Sequence, residues 1–114
     1  MLLKIILEEK SLGNYRSKLD IVADILHAVT QNAKKTHIMF QANLSYKVLK
    51  KYLGRLNEAS LINFVCEKQC YTLTLKGKDF LDAYEDYSRN SRYLVKQLNE
   101  VNDKKRILED YFLK

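Results

Sequence analysis

Proline is absent from the chain, and glycine occurs three times, at positions 13, 54 and 77. With so few breakers the sequence predicts mostly helix, because nothing removes backbone donors or invites left-handed turns at regular intervals. Two cysteines, Cys66 and Cys70, are too few for a four-thiolate zinc site or a disulfide framework. They are expected as free thiols in a hairpin, a cross-hairpin disulfide being the lesser alternative. No uninterrupted apolar run is long enough to cross a bilayer. The opening "MLLKIILEEK" is broken by Lys4, Glu8 and Glu9 and lacks the cleavage site of a signal peptide, so a cytoplasmic protein is expected.

The most informative absence is of carboxylates. The formal net charge is +6 over 114 residues. Residues 25–57 carry six lysines and arginines and no aspartate or glutamate, and so hold that entire excess in one window. A basic excess concentrated in this way points to an anionic partner.

Short helices come first. Ser17 is placed as a helix N-cap, with Asp20 at capping-box spacing, ahead of Leu19, Val22, Ile25, Leu26 and Val29. This first helix is expected to end near "QNAKK" at 31–35. Thr36 is the expected cap of a second, short helix carrying Ile38, Met39 and Ala42. "ANLS" then turns, and Ser45 caps a third helix from Tyr46 to about Asn57, anchored by Tyr46, Leu49, Leu53 and Leu56. After it the period changes from helical to alternating: "LINFV" and "CYTLTL" read as two strands of a hairpin around "EKQ". Three helices with tight turns followed by a hairpin outline a winged helix-turn-helix. Residues 1–10 fit a short strand or an additional helix.

From Lys76 onwards one long helix is expected. Phe80, Tyr84, Tyr87, Ser91, Leu94, Leu98, Val101, Lys105, Leu108 and Phe112 alternate steps of four and three, and eight of the ten are apolar. A 3.5-residue repeat held this long predicts a coiled-coil seam needing a second chain. At ~1.5 Å per residue the helix would be about 55 Å long. An antiparallel register centred near residue 96 sets Phe80 on Phe112, Tyr84 on Leu108, Tyr87 on Lys105, Ser91 on Val101 and Leu94 on Leu98.

Lys47, Lys50, Lys51 and Arg55 share one face of the third helix, away from its apolar stripe. A lysine-rich face is most often only a solvated face. Its place on the third helix, the lack of carboxylates around it and the wing that follows make duplex DNA the expected ligand. Ser45, together with Lys34, Lys35 and Thr36 at the start of the short helix, adds phosphate contacts. Lys68 and Gln69 at the wing tip add a weaker one. His27 and His37 have no carboxylate or cysteine at useful spacing, so no enzyme, metal or cofactor is expected.

The block "KTHIMFQANLSYKVLKKYLGRL", with "YTLTLKGKDFL" and the heptad helix behind it, resembles the archaeal 10a-type DNA-binding proteins over residues 17–112. That resemblance implies an α+β, mostly α chain: an N-terminal extension (1–16), a winged-helix head (17–76) and a coiled-coil helix (77–114) forming an antiparallel homodimer. It further implies weakly sequence-specific binding that organises or bridges duplex DNA. A sequence-specific repressor, or an interaction module for an acidic protein, are the alternatives.

Overall fold

The computed structural model describes residues 16–113, and the reading of residues 1–10 lies outside them. The order of elements is α1 (Lys18–Val29), α2 (Lys35–Gln41), α3 (Tyr46–Glu58), β1 (Ile62–Val65), β2 (Cys70–Leu73) and α4 (Leu75–Leu113). Residues 16–85 form one compact unit, which begins one residue before and extends nine residues past the head bounds drawn from sequence. The remainder of α4, from residue 86, belongs to a second unit.

Capping starts α1 as its sequence requires. The Asp20 amide donates to Ser17 Oγ (3.1 Å) and the Ser17 amide donates to Asp20 Oδ2 (3.0 Å). The second carboxylate oxygen of Asp20 accepts the Tyr84 hydroxyl, so the same cap ties α1 to α4. The buried face of α1 is Ala23, Ile25, Leu26, Ala28 and Val29. Leu19, expected on that stripe, is 44% exposed: in the first turn of the helix, it lies ahead of the buried positions, which begin at Ala23.

The second helix begins two residues earlier than its sequence indicates. Lys34 holds the extended N-cap conformation (φ −78°, ψ 157°) with no side-chain cap bond, and Thr36 falls inside the first turn. The cause lies upstream. Ala33 is bound on both sides to Tyr71, accepting its amide at 2.8 Å and donating to its carbonyl at 3.1 Å. This fixes extended chain up to residue 34 and starts the helix directly afterwards. Ser45 caps α3 as expected, accepting from the Val48 amide at 3.3 Å.

Helices α2 and α3 end on left-handed residues that are not glycine. Asn43 (φ 54°) follows α2 and Ser60 (φ 64°) follows α3. Each is followed by a residue whose amide reaches back into the last turn: Leu44 to Met39 O (3.1 Å) and Leu61 to Leu56 O (3.0 Å). These are paired terminal bonds that close a helix C-terminus.

The wing is a two-stranded antiparallel sheet with Ile62 opposite Leu73, Asn63 opposite Thr72, Phe64 opposite Tyr71 and Val65 opposite Cys70. Its turn is Cys66–Gln69, with Gln69 left-handed at φ 52°. Both cysteines are free, Cys66 exposed and Cys70 buried. The second strand stops at Leu73, two residues short of the expected run. Thr74 instead caps α4, its Oγ accepting from the Gly77 amide (3.0 Å) and donating to Ser60 O (2.6 Å). Gly77 is obligatory here, because a Cβ would lie 2.2 Å from Leu61 O.

The core of the head gathers Ile25, Leu26, Val29, Ile38, Leu49, Leu53, Ile62 and Leu81, with Phe80 and Tyr84 partly buried against it. Thus the first three turns of α4 complete the head. None of the helices among the described residues is long and apolar enough to cross a membrane.

Candidate nucleic-acid interface

Arg16 holds the turn between α2 and α3. Its guanidinium donates to Ala42 O (2.6 Å), Asn43 O (2.9 Å) and Asp24 Oδ2 (2.9 Å). A planar fork serves three acceptors at once, which an ammonium cannot do with the same geometry. The turn that aims α3 is therefore fixed to α1 by a residue just outside the basic window.

Leu49, Leu53 and Leu56 bury one side of α3. At 100° per residue, Lys50, Lys47, Lys51 and Arg55 fan across roughly 140° of the opposite side. All four are exposed. The ion pairs among the described residues are Arg16–Asp24, Arg89–Asp86 and Arg106–Asp103, with His27 Nε2 lying 3.3 Å from Glu85 Oε1, and none of these contacts includes an α3 cation. The first carboxylate to return is Glu58, on the last turn of the same face. Tyr46, expected among the anchors, is 53% exposed. It opens the helix beyond the core and lies under the Lys35 ammonium, 5.4 Å from ring centroid to Nζ.

Lys34 and Thr36 are exposed beside α3, Lys35 is partly buried, and Ser45 keeps an exposed hydroxyl while capping. Lys68 and Gln69 stand exposed at the wing tip, where the Gln69 amide nitrogen donates to Cys66 O (2.7 Å).

Sequence reasoning did not foresee the groove between α3 and the wing. Alternation along β1 puts Ile62 and Phe64 on one face. Ile62 reaches the core, whereas Phe64 lies past it, 43% exposed, with its ring 5.0 Å from that of Tyr71 and inclined by 53°. Together with Lys35, Lys50, Gly54 and Asn57 these rings border an open hollow of about 380 Å³, with Leu53 at its base. A Cβ on Gly54 would meet open space among the described residues. The aromatic alternation was readable in "INFV" and "CYTL", but which helix would face it was not.

The seam positions on α4 differ in exposure. Phe80 and Tyr84 are partly buried, Ser91 is 4% exposed and Leu98 is partly buried. Tyr87, Leu94, Val101, Lys105, Leu108 and Phe112 are exposed, Phe112 at 88%. Tyr93, Ile107, Tyr111 and Leu113, none of them on the seam, are also exposed.

A three-helix core, a hairpin bonded back to the chain before its second helix, and a long C-terminal helix define a winged helix-turn-helix protein. The family described as Winged helix-turn-helix matches residues 15–92, well over half of the sequence, and the chain belongs to it. The crystal structure of Sso10a-2, a DNA-binding protein from Sulfolobus solfataricus, is similar with a TM-score of 0.73 at 26% identity, over 77% of this chain and 95% of that one. The Mycobacterium tuberculosis MarR family protein Rv2887 shares the fold, with a TM-score of 0.62 at 17% identity over 96% of this chain and 85% of its own. "Uncharacterized protein MJ0290" of the archaeon Methanocaldococcus jannaschii is 39% identical over 75 residues. That match takes in 65% of this chain but 35% of the relative, so the chain spans about a third of that relative's length.

Proposed function

We propose that the protein binds duplex DNA as a homodimer, by charge more than by sequence. The observation that carries the reading is the unpaired cationic face of α3, in a window free of carboxylates. Helix α3 enters the major groove and presents Lys47, Lys50, Lys51 and Arg55, with Ser45 at its start. Lys34, Lys35 and Thr36 meet the flanking backbone, and Lys68 and Gln69 touch it from the wing tip. Of these, Arg55 alone has the forked geometry that reads a guanine edge, and lysines are point charges suited to phosphate. Affinity is therefore dominated by counter-ion release. The similarity to Sso10a-2, described as a DNA-binding protein, supports the same reading.

The head, residues 16–85, makes the DNA contact, and α4 beyond it dimerises as an antiparallel coiled coil. The exposed apolar positions Leu94, Val101, Leu108 and Phe112 support this. They would otherwise leave a large apolar area in water. Heads some 50 Å apart exceed one DNA turn of roughly 34 Å, which favours bridging two duplexes over reading adjacent half-sites. The role is that of a binding protein, not an enzyme, acting at the nucleoid in the cytoplasm.

Anisotropy titration of a labelled duplex tests the reading. Four or five cations on phosphates predict a log K against log salt slope of about −4. Reversing Lys47, Lys50 and Lys51 to glutamate is expected to abolish measurable binding while circular dichroism stays unchanged. Duplex affinity that survives the triple reversal, or that ignores salt, overturns the proposal. Footprinting separates diffuse protection from the defined operator of a sequence-specific repressor.

A further inference from the structure

The groove between α3 and the wing is lined differently from the cationic ridge beside it. One wall is aromatic, the Phe64 and Tyr71 rings in tilted contact. Gly54 contributes no side chain to the opposite wall, and the space above it is open. Lys35 and Lys50 stand at the edge, Asn57 adds a carboxamide that both donates and accepts, and among the described residues no carboxylate lines the hollow. Its volume of about 380 Å³ lies within the roughly 300–1,000 Å³ span of small-molecule pockets. A ring face, fixed positive charges and one amide together match the three parts of a nucleotide: the π-face of the base, its phosphate and the polar edge of the base.

We propose that this groove takes one unpaired nucleotide of a single strand, with the base against Phe64 and Tyr71 and the neighbouring phosphates running onto Lys47 and Lys51. A base inside a duplex cannot enter, because it is stacked on both faces and paired at its edge. Continuity selects a strand over a free nucleotide. Lys50 borders the groove and also belongs to the ridge, so a chain leaving the groove passes directly over Lys47 and Lys51. The protein would then hold opened or frayed nucleic acid at the same head that meets duplex. This inference uses the ridge of the proposed function for the flanking phosphates, but its distinguishing contacts lie outside that ridge.

Anisotropy with a short labelled oligothymidylate and, separately, a blunt duplex tests it. Gly54→Leu fills the groove and replaces a poor helix former by a good one on an open face, so the fold is retained and the melting temperature reports it. Phe64→Ala removes the half-exposed ring. Each is expected to lower oligothymidylate affinity by about tenfold or more, the usual loss of one base–aromatic stack; Phe64→Ala, whose ring is clear of the ridge, is expected to leave duplex affinity within a factor of about two, which is less than 0.5 kcal/mol. Lys47→Ala with Lys51→Ala is expected to weaken both ligands. Wild-type protein that ignores oligothymidylate, or a Gly54→Leu variant that binds it unchanged, overturns the proposal. So does an equal loss of duplex and single strand in Phe64→Ala, which would make the groove part of the duplex interface. Competition by thymidine monophosphate as strong as by the oligonucleotide would also overturn it, since the site would then be one for a free nucleotide. A failure of the duplex reading appears separately, as unchanged duplex affinity in the double lysine variant.

Discussion

Ser60 carries φ 64° at the end of α3, a conformation that costs a residue with a Cβ about 1 kcal/mol or more and glycine nothing. Its contribution to the junction is made by the backbone, through the carbonyl that accepts the Thr74 hydroxyl. Ser60→Gly is therefore expected to stabilise the protein by about 0.5–1 kcal/mol, after the greater freedom of glycine in the unfolded chain is subtracted; urea denaturation measures it. Gly77 is the opposite case. A Cβ there would collide with Leu61 O and with Leu73 Cδ1 at 2.6 Å. Backbone on one side and a packed core on the other leave little room to yield, so Gly77→Ala is expected to cost about 1–3 kcal/mol in the same experiment. The two positions show why the scarcity of glycine conceals helix ends in this sequence. The stops exist, but asparagine and serine occupy them.

Helix α3 and its serine cap were legible because three signals coincide there: a cap residue, a clean apolar stripe and a change of period directly afterwards. The start of α2 was not. It depends on the bonds between Ala33 and Tyr71, partners 38 positions apart, and no local pattern announces a pairing made over that separation. Tyr46 was misplaced for a related reason, since helical spacing says which residues share a side but not how far the core extends along it. Arg16 escaped notice because its role is set by two backbone carbonyls that become neighbours only in the folded head. Arg16→Ala is expected to cost about 1–2 kcal/mol in thermal denaturation, the worth of charge-assisted bonds at a half-exposed site. Arg16→Lys should recover only part of this, because the acceptors are spread over two guanidinium nitrogens and a single ammonium nitrogen cannot reach them all with good geometry.

Taken whole, the molecule divides its apolar surface unequally. Positions 80, 81 and 84 of α4 are used within the head, while Val101, Leu108 and Phe112 lie open. Replacing Leu108 and Phe112 by aspartate is expected to turn a dimer into a monomer in sedimentation equilibrium, with the melting of the head little changed because neither residue is a member of its core. A wild-type chain that sediments as a monomer at all concentrations would refute that expectation. The heptad repeat was plain in the sequence; that Ile107, Tyr111 and Leu113 widen the apolar surface at its end was not, since they lie off the register. One property follows from where the rings fall. The chain has eight tyrosines and no tryptophan, and Tyr71 borders the hollow beside α3 while Tyr46 sits beneath an ammonium at its rim. Ultraviolet emission from this protein is thus native tyrosine light, and a guest settling beside α3 should dim it without any added dye.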